Sequence, residues 1–195
     1  MKVTIAHFLV SIILIMLFLC LLNKVNGMAA NVPPADLVAV LRPGRYTGEG
    51  KYAPTDHYPN GLNAKLYMTV TKTQTGLDTS VQVEAFDAVT GNIAYNGVRN
   101  ATFDYKPNHG DNVFKNSKSF IGGKLVSSSH GTLTSSSKDK LVISSSGSWH
   151  TSSYEHNIIN TIKKDGDKLY ATFDNTGIIP FLHSHIMDEV YTYQN

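Results

Sequence analysis

From Arg45 almost to its end the chain alternates apolar and polar side chains with a period of two, and no apolar run of helical period interrupts it. Leu66, Met68 and Val70 stand against Lys65, Tyr67, Thr69 and Thr71; Val81, Val83 and Ala85 stand against Gln82 and Glu84. Successive side chains of a strand point to opposite faces, so each run predicts a strand with one buried face. Ile93 to Tyr95 and Ala101 to Tyr105 follow, the second placing Ala101, Phe103 and Tyr105 inward. Leu141, Ile143, Ser145, Gly147 and Trp149 share a face, as do Tyr154, His156, Ile158 and Ile162, then Leu169, Ala171 and Phe173, and the chain closes on Ile186 to Tyr193. Asn60-Gly61, Thr75-Gly76, Gly91-Asn92, Pro107 to Gly110 and Lys164 to Asp167 supply the turns. Nine or ten strands in sequential antiparallel pairing are expected, and end strands that both read as paired favour closure into a barrel, because closure removes exposed edges.

The first strand carries a second signal. Tyr46, Gly48, Gly50 and Tyr52 fall on one face, opposite Arg45, Thr47, Glu49 and Lys51. Two glycines between two aromatics suit a strand that bends sharply and admits a neighbouring group at close range. Before it, Asn31 to Arg42 predicts a short helix: Pro33 and Pro34 at its start, Asp36 in the first turn, apolar Leu37, Val38, Val40 and Leu41, and Pro43-Gly44 as a stop. Such a helix can cover one end of a barrel. Three serine triplets, Ser127 to Ser129, Ser135 to Ser137 and Ser144 to Ser146, directly follow Leu125-Val126, Leu133-Thr134 and Leu141-Val142-Ile143, which predicts weak strands with wet outer faces rather than a solvated linker. His130-Gly131 and Lys138-Asp139 fall where hairpin turns are expected.

Lys2, the apolar run Phe8 to Leu22 and the small-residue site Val25-Asn26-Gly27 predict a signal peptide over residues 1–27, with cleavage after Gly27 and a secreted or periplasmic domain over 28–195. The apolar run is shorter than the roughly 20 residues of a membrane-crossing helix, so no stable anchor is expected after cleavage. The chain's one cysteine, Cys20, lies inside that leader, and the domain must stand on its core without disulfides. Beyond residue 27 basic and acidic side chains balance at fifteen each, and no cationic run interleaved with aromatics points to nucleic acid. Asn100-Ala101-Thr102 is a glycosylation acceptor triplet.

The inner faces assemble Tyr46, Tyr52, Phe103, Tyr105, Trp149 and Phe173, with Gly48, Gly50, Ala85, Ser145, Gly147 and Ala171 between them. Aromatic walls separated by small residues are expected to leave a cavity that binds a small apolar or amphipathic molecule without transforming it. A core simply filled by those rings, in a structural or partner-binding barrel, is the alternative. His183-Ser184-His185 places two imidazoles on one face of an extended segment, a spacing that suits a metal, with His150, Glu155 and His156 as further candidates, although no spacing links the two groups. One such histidine at a barrel mouth would resemble the haem-binding barrels of nitrobindin type, whose surrounding motifs are not evident here; neither a metal nor a cofactor is assigned. No Gly-x-Ser-x-Gly elbow is present, so no catalytic serine is assigned either.

The layout, a leader, a short helix, Gly44-Arg45-Tyr46 at the first strand and then a meander, resembles the calycin or lipocalin-like barrels, with Tyr46 where the family usually has tryptophan. The family's final-strand arginine is replaced by Tyr191-Thr192-Tyr193-Gln194, and its cysteine pair is missing. The resemblance implies an all-β, single up-and-down antiparallel barrel with a short N-terminal helix, holding a small ligand.

Overall fold

The computed structural model describes residues 34–106, 112–149, 155–176 and 184–195; the side chains of Trp149, Glu155 and His156 lie outside the described set. Among these residues one short helix, α1 (Ala35–Val40), precedes ten strands: β1 (Gly44–Tyr52), β2 (Leu62–Lys72), β3 (Gly76–Asp87), β4 (Ile93–Lys106), β5 (Asn112–Ile121), β6 (Lys124–Ser137), β7 (Lys140–Trp149), β8 (Glu155–Asp165), β9 (Lys168–Asn175) and β10 (Ser184–Gln194). Each strand pairs antiparallel with its sequence neighbours, and β10 closes on β1. The expected up-and-down barrel is therefore the fold, at the upper end of the expected strand number.

Parity decides what enters the core. In β2, Leu62, Ala64, Leu66, Met68 and Val70 are buried while the residues between them are exposed. The same alternation in β3 buries Leu77, Val81, Val83 and Ala85. The segments expected as separate runs at Ile93 and Ala101 are one strand, β4.

At one end of the barrel α1 lies against β6, β7 and β8 and buries Leu37, Val40 and the following Leu41. Lys164 donates from Nζ to the Ala39 carbonyl at 2.8 Å, and Ser136 donates to Asp36 at 3.1 Å, fastening the helix over the opening. The helix is shorter than the expected Asn31–Arg42: it starts after Pro34, and Pro43 disfavours helical geometry at Arg42. The opposite end, formed by the close of β1, β3, β5 and β9 and the start of β2, β4, β6 and β10, is here called the mouth.

Two glycine expectations resolve differently. A Cβ at Gly48 would lie 2.9 Å from the Tyr191 ring and collide with the Val190 carbonyl, so Gly48 is the close-approach site the first strand suggested. His130-Gly131, expected as a turn, instead lies in the middle of β6, where Gly131 faces Lys115 of β5 and Ser145 of β7. A Cβ there would sit 2.6 Å from that of Ser145; the glycine marks a tight strand crossing, not a reversal. The reversal between β5 and β6 is made by Gly122-Gly123, at φ 55° and 77°.

Replacing Gly48 by alanine is expected to force the β1–β10 seam apart and to lower stability by about 1–3 kcal/mol, as overpacking does. Urea unfolding checks this; an unchanged midpoint would show that the seam yields without cost.

Candidate functional site

The register that buries aliphatic residues also carries ionisable ones inside. Glu189 of β10 lies between Gly50 of β1 and Ala171 of β9, whose small side chains leave room beside it. It is 1% exposed. Arg99 of β4 reaches it across the interior, Nη2 donating to both carboxylate oxygens at 2.6 and 2.8 Å. Tyr191 donates to Glu189 at 2.8 Å and Tyr52 at 3.2 Å, and Arg99 also donates to the Tyr191 hydroxyl at 3.2 Å. Burial, reinforced by the Glu189 carboxylate, holds the Tyr191 and Tyr52 phenols well above the usual tyrosine range. Both stay neutral donors.

Lys115 enters from β5, opposite buried Phe103 and Gly131. Among the described residues it has no hydrogen-bond or ion-pair partner. Burial, with Arg99 adding repulsion, lowers its ammonium to a pKa of about 8. Lys115, Arg99, Glu189 and Tyr191 border an interior cavity of about 60 Å³ together with Asn160, Ser117, Phe103 and Phe173. Asn160 is buried and donates to the Thr172 carbonyl at 3.1 Å. The Arg99 guanidinium lies 5.2 Å from the centre of the Phe173 ring. Toward the mouth, Tyr52, Tyr58, Tyr95 and Phe173 pack partly buried against the core, the rings of Tyr58 and Tyr95 being 6.4 Å apart. Burial pushes the Tyr95 phenol up to about 12.

Of the six aromatics expected to line a ligand site, the five whose side chains are described are distributed along the bore. Phe103 and Phe173 border the cavity, and Tyr52 reaches it through Glu189. Tyr46 lies at the helix end, donating to the Arg42 carbonyl at 2.7 Å and meeting the Tyr193 ring edge-on at 5.1 Å. Tyr105 packs partly buried on the helix side of Phe103. Trp149 occupies a strand position opposite Ser127, and its side chain lies outside the described set. Arg99, Lys115 and Glu189 were missed by sequence reasoning, although parity alone aligns Arg99 with Ala101 and Phe103, and Glu189 with Tyr191.

Of the histidines considered as metal or haem ligands, His150 and His183 lie outside the described residues. His185 is held between two carboxylates, Nδ1 at 2.9 Å from Asp174 and Nε2 at 3.1 Å from Asp188. Both ring nitrogens face carboxylates in that arrangement, and the bond to Asp174 leads in holding its pKa above the ordinary 6.5.

No protein-family model and no curated protein matches the chain. Among solved structures, that of Rv2717c from M. tuberculosis is similar, with a TM-score of 0.51 over 84% of this chain and 99% of that one at 12% identity. A likeness at that identity establishes a shared barrel fold.

Two outcomes follow from the charges. Glu189→Gln leaves Arg99 inside without a counter-charge and is expected to cost about 3–5 kcal/mol in chemical denaturation, whereas the Arg99→Met/Glu189→Leu pair regains most of it. In an NMR titration His185 should titrate above 6.5 and fall back toward it in Asp174→Asn. Because the folded-state value is raised, the stabilisation from protonated His185 is complete below the unfolded value and is lost as pH rises through the folded one.

Proposed function

We propose that this protein is an exported carrier that binds a small amphipathic molecule with an acidic head group inside the barrel. The observation that carries the reading is Lys115. Two cations, Arg99 and Lys115, face one carboxylate, Glu189, around the cavity. A partly buried charge with no hydrogen-bonded partner among the described residues is costly, and an arriving carboxylate would relieve it. The cavity suits a head group of a few heavy atoms, and the tyrosines and Phe173 toward the mouth offer a tail both apolar faces and hydroxyls.

Export is supported by Lys2, the apolar run Phe8 to Leu22 and the small residues Val25-Asn26-Gly27. A calycin-like ancestry is supported by the helix-covered end and by the stacking there, where Arg42 lies 4.0 Å over the Tyr193 ring, which in turn meets Tyr46. In this chain an arginine before the first strand stacks on the final-strand ring that meets Tyr46, where in lipocalins a final-strand arginine packs across the first-strand aromatic.

Isothermal titration with octanoate and with octanol tests the head group. Octanoate is expected to bind and octanol to bind about 10–100-fold more weakly, the difference expected for one charge-assisted hydrogen bond. Lys115→Met should remove that preference and Lys115→Arg retain part of it. Octanoate affinity should also fall as pH rises past about 8, where the free ammonium discharges. Equal binding of acid and alcohol would remove the charge argument, and binding of neither would leave a barrel with a filled core.

A further inference from the structure

Eight large apolar side chains are exposed among the described residues, and five of them, Val89, Ile93, Val98, Ile121 and Leu125, belong to the β3–β4 and β5–β6 hairpins. The hairpins are neighbours at the mouth: Gly97 of β4 pairs with Ile121 and Val98 with Phe120, while Gly122 donates to the Asn96 carbonyl. Val89 and Ile93 are 75% and 68% exposed. Their display is built rather than loose. The Asp87 carboxylate accepts from the Val89 and Thr90 amides at 3.0 and 2.7 Å, the Asp87 carbonyl accepts from Gly91, and Asn60 donates to the same carboxylate at 3.3 Å.

Charge selects the partner. From Asn112 to Ser137 the sequence has no aspartate or glutamate, while Lys118 and Lys124 flank the Phe120-Ile121-Gly122-Gly123 tip. At the β5–β6 tip the apolar side chains with cations behind them match an anionic bilayer surface, where the former enter the interface and the latter meet the head groups, while the β3–β4 tip, which has no cation, adds Val89 and Ile93. On the rest of the outer wall the other three, Tyr67, Tyr170 and Val190, stand among polar residues such as Lys65, Thr69, Asn116, His130 and Ser146, unlike the continuous apolar band of a barrel that spans a membrane. From these observations we infer that the mouth end of the barrel docks reversibly on anionic lipid through the β3–β4 and β5–β6 hairpins, presenting the bore to the lipid surface.

Hydrogen–deuterium exchange of the full chain with vesicles reports the contact by position, so any affinity of residues 1–30 for lipid does not obscure it. Vesicles of phosphatidylcholine with phosphatidylglycerol should protect residues 88–93 and 119–126, and phosphatidylcholine alone should protect them much less. Ile93→Asp/Ile121→Asp, with its thermal transition retained, should abolish that protection and lower partition into the mixed vesicles about tenfold or more, while octanoate binding in solution stays unchanged. Unaltered exchange at both hairpins would overturn the inference, as would equal protection by both vesicle types. Protection of the hairpins without lipid, dependent on protein concentration and lost in the variant, would assign the surface to a second copy of the chain instead.

Discussion

The interior is organised by the Arg99–Glu189 ion pair, which ties β4 to β10 across the bore at 2.6 Å. An eight-stranded barrel is just wide enough for its side chains to fill, and ten strands enclose more. A long guanidinium stem spans that width where an aliphatic side chain falls short. The pair in turn explains the small residues around it. Gly50 and Ala171 flank Glu189 in register, and a Cβ at Gly50 would press on the Tyr52 ring at 3.0 Å, so the glycine leaves room for a phenol that reaches the carboxylate. The glycines of β1 therefore serve two ends: closing the seam with β10 and making room for buried charge.

Architecture was legible because parity is a local signal. The run Leu66, Met68, Val70 needed no distant information to place its face, and strand order followed from turns read in sequence. The candidate site was legible only in part. Phe103 and Phe173 were placed by their own alternation, whereas Arg99 and Glu189 are 90 residues apart and each, taken alone, resembles a solvated outer position. Their parity was readable; the reason a charge could stand there was not. Gly131 failed differently. A glycine beside a histidine in serine-rich sequence has the composition of a turn, and the close passage of β6 and β7 that requires it depends on register between strands.

The two ends of the barrel differ in kind. At one, α1, Tyr46, Tyr193 and Arg42 form a packed lid with short polar contacts. At the other, tyrosines stand partly buried and the hairpins carry exposed aliphatic residues. The closed end buries Leu37, Val40 and Leu41 under the helix, whereas the mouth exposes Val89, Ile93 and Ile121, side chains that can meet a partner. His185, clasped by Asp174 of β9 and Asp188 of its own strand, fastens the start of β10 at that end beside a break in register between His185 and Met187.

The surplus positive charge in the bore is a consequence of how Glu189 is bonded. An ionised carboxylate offers about four lone-pair positions. Arg99 approaches both oxygens, Tyr52 takes Oε1 and Tyr191 takes Oε2, so those positions are occupied. Lys115 feels Glu189 across the cavity but has no acceptor left to take there, and the nearby guanidinium works against its charge. Neutralising Lys115 from within would require breaking the network that holds β4 to β10. The arrangement that secures the barrel thus also leaves the Lys115 ammonium facing the cavity with no acceptor among the described residues, and the proposed binding of an acidic head group rests on that imbalance.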